Sequence, residues 1–269
     1  MNKSVVQTSL PHNRISKLID EGGKVSLLFE ESLKRWINSL LLDDEIQGVI
    51  ENRGELCKAV ISCKEEGVFA GKLPITFLLD NWIKDAKIEY KVADGDVVKV
   101  DDELMILSMS TEQILKFERV ILNIVGRLSG IATATNNWVK KSPIPIASTR
   151  KTTWGLLDKW AVHVGGGLTH RLSREDALMI KENDIIGSNL KEEDHMLNII
   201  NTIEKIKEID NPEFIVIEVR EIEEAIMAAK KWTKNNKDYP LTIMLDNMKP
   251  SKCYSVIKEL KKNGLRNSI

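Results

Sequence analysis

The segment "PEFIVIEVREIEEAIMAAKKWTK", residues 212–234, decides the fold. It opens with the short apolar run "FIVIE" and continues into a stretch whose apolar residues recur at helical spacing. The same order of strand, loop and amphipathic helix is repeated along the second half of the chain. We expect strands near 144–149, 177–181, 214–218 and 241–246, and helices near 192–208, 222–235 and 251–262. Such alternation predicts parallel strands joined by helical crossovers.

Each of these apolar runs ends on a charged residue. Arg150 and Lys151 follow the first run, and the later runs end at Lys181, Glu218 and Asp246. In a parallel α/β barrel the catalytic side chains come from the carboxyl ends of several strands. One charge at a strand end is ordinary, because a strand must emerge into solvent. Four charged strand ends in register favour a functional site.

The predicted barrel is short of residues. A full eight-stranded barrel takes about 250 residues, and the part of the chain after Pro143 is roughly half of that. The last residues, "NGLRNSI", are typical of the start of another strand. We therefore expect either an incomplete barrel, lacking its last strands, or a fragment of a longer chain.

The first half of the chain has a different pattern. Residues 27–41 carry an apolar helical stripe, and the runs "CKAVISC", "KIEYKV" and "ELMILSM" alternate as strands do. A long helix follows from Thr111 to about Lys140, with Ser110 or Thr111 as its cap. The predicted domains are an α+β domain over 1–110 and an α/β barrel domain over 111–269.

Composition excludes several classes of protein. Hydrophobic content of 42% and charged content of 29% are ordinary for a globular protein. No apolar run reaches the roughly 20 residues that span a bilayer, and the first residues lack the apolar core of a secretory signal. We expect a cytoplasmic protein without a membrane partner. A net charge of −1 gives no global attraction to nucleic acid, so no nucleic-acid partner is expected.

Two groups of side chains could carry chemistry. The segment "AVHVGGGLTHR" joins three glycines, which could form either a turn or an anion cradle, to the donors His170 and Arg171. The full cationic set is Arg150, Lys151, His170, Arg171 and Lys181. The acidic pair, Glu218 and Asp246, suits a divalent metal such as Mg²⁺, which bridges phosphates; the alternative is ion pairs with the cations. This separation of a cationic set from an acidic pair favours phosphoryl or pyrophosphate chemistry.

Other catalytic patterns are missing from the sequence. There is no HExxH spacing for zinc, no GxSxG nucleophile elbow and no evident cysteine nucleophile. The three cysteines form no CxxC pair, which favours reduced thiols and argues against redox chemistry.

Five motifs in order, "TRKTT", "GGGLTHR", "LMIKEND", "IEV" and "MLDNM", resemble those of the quinolinate phosphoribosyltransferase family, and "FERVILNIVGRLSGIATAT" resembles its interdomain helix. The likeness covers roughly residues 67–250. It implies an N-terminal α/β sandwich domain, an open TIM-like barrel of fewer than eight strands, and a homodimer or dimer-based oligomer. The implied reaction transfers phosphoribose from phosphoribosyl pyrophosphate to quinolinate with Mg²⁺, giving nicotinate mononucleotide, pyrophosphate and CO₂ in NAD biosynthesis.

The resemblance also implies residue roles. Arg150, His170 and Arg171, helped by Lys181, would hold the two carboxylates of quinolinate, and Thr149 belongs to the same substrate-binding motif. Lys151 would meet pyrophosphate oxygens, while Glu218 and Asp246 would face the ribose hydroxyls and Mg²⁺. Arg119 would reach into the partner subunit's site. The implied catalytic set is Lys151, Lys181, Glu218 and Asp246.

The sequence departs from the family pattern in several places, and an N-terminal "EDxGxGDxT"-like segment of the family is not evident. Trp154 stands where the family has proline and a nearby family arginine is missing, Asp184 replaces a histidine, and the loops for the 5′-phosphate would lie beyond Ile269. Two alternatives therefore stay open. One is a related phosphoribosyltransferase acting on another acid, and the other is an inactive structural or regulatory partner.

Overall fold

The computed structural model describes residues 11–52, 54–181, 184, 195–205, 213–234 and 241–265. The chain divides into two compact units, Met1–Leu172 and Ser173–Ile269, which are described in turn. Within the described residues, no helix combines the length and the apolar character needed to cross a membrane.

The first unit is built on antiparallel strands and helices. Its elements, in chain order, are α1 (Leu27–Asp43), β1 (Leu56–Ser62), β2 (Gly67–Val68), α2 (Lys72–Trp82), β3 (Lys87–Tyr90), β4 (Val97–Val98), β5 (Glu103–Ser110), α3 (Thr111–Lys141) and α4 (Leu156–Val164). Strand β5 lies between β1 and β3, and β2 pairs with β4. The predicted helix over 27–41 and the three predicted strands of this half are confirmed.

The long helix α3 organises the core of the first unit. Its start is fixed by a capping box, in which the Ser110 and Gln113 side chains each bond the other residue's backbone. Ser110 is therefore the cap, one of the two predicted residues. The buried residues Phe117, Ile121, Ile124 and Leu128 recur at helical spacing and form its packing stripe.

The compact unit extends beyond the predicted domain boundary. Residues 110 and 111 mark the junction of β5 with α3, but α3 packs against α2, β2 and α4 and so belongs to the first unit. The observed division therefore lies between Leu172 and Ser173. The domain boundary predicted at 110/111 is a different quantity from this division of compact units, and it stays a prediction.

The second unit alternates strands and helices. Its elements are β6 (Leu178–Ile180), α5 (His195–Lys205), β7 (Ile215–Val219), α6 (Ile222–Lys234), β8 (Leu241–Leu245) and α7 (Pro250–Lys262). The three strands form one parallel sheet in the order β6, β7, β8. The predicted mixed α/β class is confirmed, and so are three of the four predicted strands.

The strand predicted near 144–149 is wrong as a full strand. Only one parallel bridge, between Ala147 and Leu168, forms there. Pro143 and Pro145 have no N–H to donate, so the segment has too few donors for a continuous ladder.

The two faces of the parallel sheet differ. On β7, the buried residues Ile215, Ile217 and Val219 pack in one cluster with residues of the surrounding helices. Phe214 and Val216 point the other way and pack with the methionines of the neighbouring strands. Since side chains alternate along a strand, Glu218 lies on the face of Val216 and not on the helix-covered face.

Candidate active site

Lys181 and Glu218 are brought together by the parallel sheet of the second unit. Ile180 pairs with Ile217, so the residues that follow them, Lys181 just after β6 and Glu218 within β7, are neighbours. Their side chains form an ion pair, with Lys181 Nζ 2.9 Å from Glu218 Oε2. The Glu218 side chain is only 14% exposed, whereas that of Lys181 is 45% exposed. The pair therefore joins a largely buried carboxylate to an accessible cation.

Asp246 lies at the same edge of the sheet. It follows β8 directly, and its backbone N–H donates to the carbonyl oxygen of Val219 at 2.9 Å. Asn247 Nδ2 donates to Asp246 Oδ2 at 2.9 Å, and Arg220 Nε lies 3.9 Å from the same oxygen. The sequence prediction was one residue off for β7, which continues to Val219, so Glu218 lies inside the strand.

Asp184 bonds to the backbone of Lys181, the residue that follows β6. Its carboxylate accepts hydrogen bonds from the backbone N–H of Lys181 at 3.1 Å and from Arg174 Nη2 at 2.9 Å. Its own backbone N–H donates to the Lys181 carbonyl oxygen at 2.9 Å. The residue that departs from the family motif therefore fixes the backbone at Lys181.

Four residues of the predicted cationic set, Arg150, Lys151, His170 and Arg171, lie on two adjacent loops of the first unit. Around the bridge at Ala147, the Leu168 N–H donates to the Ile146 carbonyl and the Ser148 N–H donates to the Leu168 carbonyl, each at 2.8 Å. Two loops, 149–151 and 169–171, therefore start side by side. The first carries Thr149, Arg150 and Lys151, all exposed. The second carries His170 and Arg171, both buried.

His170 is held in an unusual conformation by the N-terminal segment. Its φ angle is 52°, in the left-handed region that non-glycine residues rarely adopt. The His12 ring stacks on its ring at a centroid distance of 5.6 Å, and the Arg14 N–H donates to Thr169 Oγ1 at 2.6 Å. Burial lowers the pKa of His12, which favours the neutral ring beside His170. Sequence reasoning gave His12 no role, because the contact joins distant parts of the chain.

The three glycines serve packing and not anion binding. Their N–H groups donate to carbonyls of α4: Gly165 to Ala161 at 3.0 Å, Gly166 to His163 at 2.8 Å and Gly167 to Val162 at 2.9 Å. A Cβ on Gly165 would clash with the Ala132 carbonyl oxygen. The donors are therefore used within the fold, and the turn reading of this segment is correct.

Lys159 is a buried cation that sequence reasoning missed. Its side chain is on α4 and the residue is 1% exposed. Nζ donates to the carbonyl oxygens of Thr149 at 3.0 Å and Thr169 at 2.9 Å, with Ser148 Oγ at 3.4 Å. The ammonium thus ties the two cationic loops together. The available signal was one lysine among the apolar residues of "LLDKWAV".

Arg119 lies on the exposed side of α3. Its Nε donates to Asp44 Oδ2 at 3.1 Å, and the two side chains form an ion pair. The arginine side chain is 71% exposed, so it is accessible from outside the first unit.

The chain matches two family models. Residues 44–129 match "Quinolinate phosphoribosyl transferase, N-terminal domain", and residues 131–269 match the C-terminal domain of the same name. Together the matches cover most of the chain.

Curated relatives agree with this match. The probable nicotinate-nucleotide pyrophosphorylase [carboxylating] of Archaeoglobus fulgidus is 33% identical over 221 residues, covering 79% of this chain and 78% of the relative. The protein of the same name from Methanothermobacter thermautotrophicus is 32% identical over 226 residues, covering 81% and 75%.

Solved structures show the same fold. The nicotinate-nucleotide pyrophosphorylase from Francisella tularensis superposes with a TM-score of 0.71 at 25% identity, covering 91% of this chain and 83% of that one. NadC from Streptococcus pyogenes gives a TM-score of 0.68 at 26% identity, covering 86% and 80%. These findings place the chain in the class of pentosyltransferase enzymes. It belongs to the quinolinate phosphoribosyl transferase family.

Proposed function

We propose that this chain converts quinolinate and phosphoribosyl pyrophosphate to nicotinate mononucleotide, pyrophosphate and CO₂, a step of NAD biosynthesis. The observation that carries the proposal is the match of both family domains, in order, to one chain. The names of the curated relatives support the same reaction.

The loops of the first unit would bind the acid. Arg150, His170 and Arg171 would hold the two carboxylates of quinolinate, and Thr149 would add a hydroxyl donor. The help of Lys181 in binding the acid stays a prediction. A guanidinium can donate two parallel hydrogen bonds to one carboxylate. Arg171 is only 4% exposed, so its charge acts in a medium less polarisable than water. This suits binding of a dianion.

The ribose and pyrophosphate would be met by other residues. Lys151 is exposed on its loop and would contact pyrophosphate oxygens. Glu218 and Asp246 would face the ribose hydroxyls. As pyrophosphate leaves, positive charge develops at the ribose ring, and fixed carboxylates would stabilise it.

Mg²⁺ would be held by the same carboxylates. The described residues contain no cluster of three or more His, Cys, Asp or Glu side chains. Mg²⁺ commonly uses one or two protein carboxylates and takes its remaining ligands from water and substrate phosphates. Glu218 and Asp246, at the same edge of one parallel sheet, fit this requirement. The metal would neutralise charge on the pyrophosphate group.

Three further features of the family belong to the proposal. We propose a homodimer or dimer-based oligomer in which Arg119 contributes to the partner's site, which its exposure on α3 permits. We also propose that the sheet of the second unit is part of an open TIM-like barrel, and that the first unit contains the α/β sandwich. A cytoplasmic location stays a prediction.

A steady-state assay tests the residue roles. The unaltered chain should form nicotinate mononucleotide from quinolinate and Mg²⁺-phosphoribosyl pyrophosphate, and Asp246→Asn should lower kcat about a hundredfold or more by removing a charge that stabilises the transition state. The control is Lys64→Ala, whose side chain is 78% exposed.

The same assay separates the alternatives. Asp184, in place of the family's histidine, favours a second candidate with a different acceptor acid, and such an enzyme would use nicotinate or another pyridine acid better than quinolinate. A folded chain without turnover on any of these acids would favour an inactive partner and would contradict the proposed function.

A further inference from the structure

A small cavity in the first unit lies beside α1 and the loop before α4. Its volume is about 230 Å³, and its lining includes Arg35, Trp36, Arg150 and Lys159 but no carboxylate. Three cations around one cavity without an acidic residue are notable in a chain whose net charge is −1.

Pairing of the arginines singles out this cavity. Within the described part of the chain, Arg119, Arg127, Arg174 and Arg220 have acidic partners, and Arg14 and Arg171 also have interactions. Only the guanidinium groups of Arg35 and Arg150 have none among the described residues. Both line the same cavity, so no acidic side chain of the described residues pairs with these two charges.

Arg35 has an acidic residue at a suitable spacing in the sequence but forms no ion pair with it. Glu31 lies one helical turn before Arg35, at a spacing that permits an ion pair. Glu31 instead lies 3.4 Å from Lys34, which also pairs with Glu30 at 2.8 Å. Lys34 thereby takes both acidic side chains of this turn and leaves Arg35 available to a ligand.

The other walls of the cavity suit a flat ring. Trp36 supplies an indole, and Leu28, Leu156 and Leu172 supply apolar surface. The indole lies close to the loop, since a Cβ on Gly155 would be 3.3 Å from Trp36 Nε1, and Gly155 has a φ of 55°. Glycine at this position lets the indole and the loop approach each other.

We propose that this cavity binds a carboxylate of the aromatic acid acceptor between Arg35 and Arg150, with Arg35 as a specificity-determining residue contributed by α1. This inference rests on the proposed function and adds a residue to it. The volume is below the roughly 300–1,000 Å³ of sites for drug-sized ligands, which suits an acid with a single ring. Arg35 thus supplies a second guanidinium beside Arg150.

Two variants and a matched control test the proposal. Arg35→Ala should weaken quinolinate binding, measured by calorimetry, and raise the KM for quinolinate by about tenfold or more, equal to about 1.4 kcal/mol. The KM for phosphoribosyl pyrophosphate should stay within twofold. Arg35→Lys, which keeps the charge but loses the planar fork, should give an intermediate value. Lys64→Ala removes one exposed positive charge elsewhere and should change neither constant.

The outcomes separate this inference from the proposed function. Turnover of quinolinate by the unaltered chain, with a KM unchanged in Arg35→Ala, would overturn the inference and leave the function standing. Arg35-dependent binding of quinolinate without turnover would support the inference and count against the function. An unaltered chain that binds no quinolinate would overturn both. If circular dichroism shows Arg35→Ala to be unfolded, Arg35→Lys decides: a quinolinate KM equal to that of the unaltered chain overturns the inference.

Discussion

Replacement of Lys159 by methionine should cost stability and substrate affinity together. Methionine has similar length but no donor, so the carbonyl oxygens of Thr149 and Thr169 lose their bonds to Nζ. The Thr149 carbonyl keeps a donor, because Ser148 Oγ bonds it at 2.8 Å. A buried acceptor left without a donor costs about 1–3 kcal/mol. We therefore expect the free energy of unfolding to fall by about 2 kcal/mol, mainly from Thr169.

The effect on binding follows from the position of those carbonyls. They precede Arg150 and His170 directly, so loosening the two loops should also weaken quinolinate binding. Urea unfolding followed by circular dichroism measures the stability, and calorimetric titration measures the affinity. The control is Lys262→Met, whose side chain is 74% exposed and which should change stability by less than about 0.5 kcal/mol. A Lys159→Met chain as stable as the unaltered chain, with equal affinity, would refute the reasoning.

Three further predictions concern the first unit. Asp158→Ala should lower the unfolding free energy by about 3 kcal/mol in urea, because Asp158 accepts two bonds from Arg127, at 2.9 and 2.8 Å, and is nearly buried; an unchanged midpoint would count against this. Gly165→Ala should lower the melting temperature through its clash with the Ala132 carbonyl, whereas Gly130→Ala, where nothing lies within 4 Å, should raise stability by about 0.5–1 kcal/mol; equal shifts would contradict the packing argument. Burial lowers the pKa of His163 in the folded state below its ordinary value of 6.5. The contribution of this neutral ring to the free energy of unfolding is therefore full above pH 6.5 and is lost as pH falls through the lower folded-state pKa. His163→Asn should flatten the decline of stability between about pH 7 and 5, and an unaltered slope would disprove this.

Local pattern was enough to predict the second unit. Successive side chains of the run "FIVIE" pack into two different clusters, one on each face of the sheet. The observed strand β7 places Glu218 on the face opposite the helices. Because parallel strands end at the same edge of a sheet, Lys181, Glu218 and Asp246 could be grouped from order alone. The ion pair of Lys181 with Glu218 then follows from the register.

Contacts between distant residues could not be predicted in this way. The stacking of His12 on His170 joins residues far apart in sequence, and no periodic pattern encodes it. Lys159 was hidden because a single lysine in a helix is ordinarily solvated. The strand at 144–149 failed because its prolines limit hydrogen bonding while its apolar residues still fit a strand pattern.

Product stoichiometry tests the central claim most directly. The chain would be incubated with Mg²⁺, phosphoribosyl pyrophosphate and quinolinate labelled at the carboxyl carbon that is lost, and nicotinate mononucleotide, pyrophosphate and labelled CO₂ would be measured together. Equal amounts of all three, dependent on both substrates and absent with nicotinate as the acid, are the predicted result. Consumption of phosphoribosyl pyrophosphate without CO₂ release, or equal turnover of nicotinate, would contradict the assignment of this chain as a quinolinate phosphoribosyltransferase.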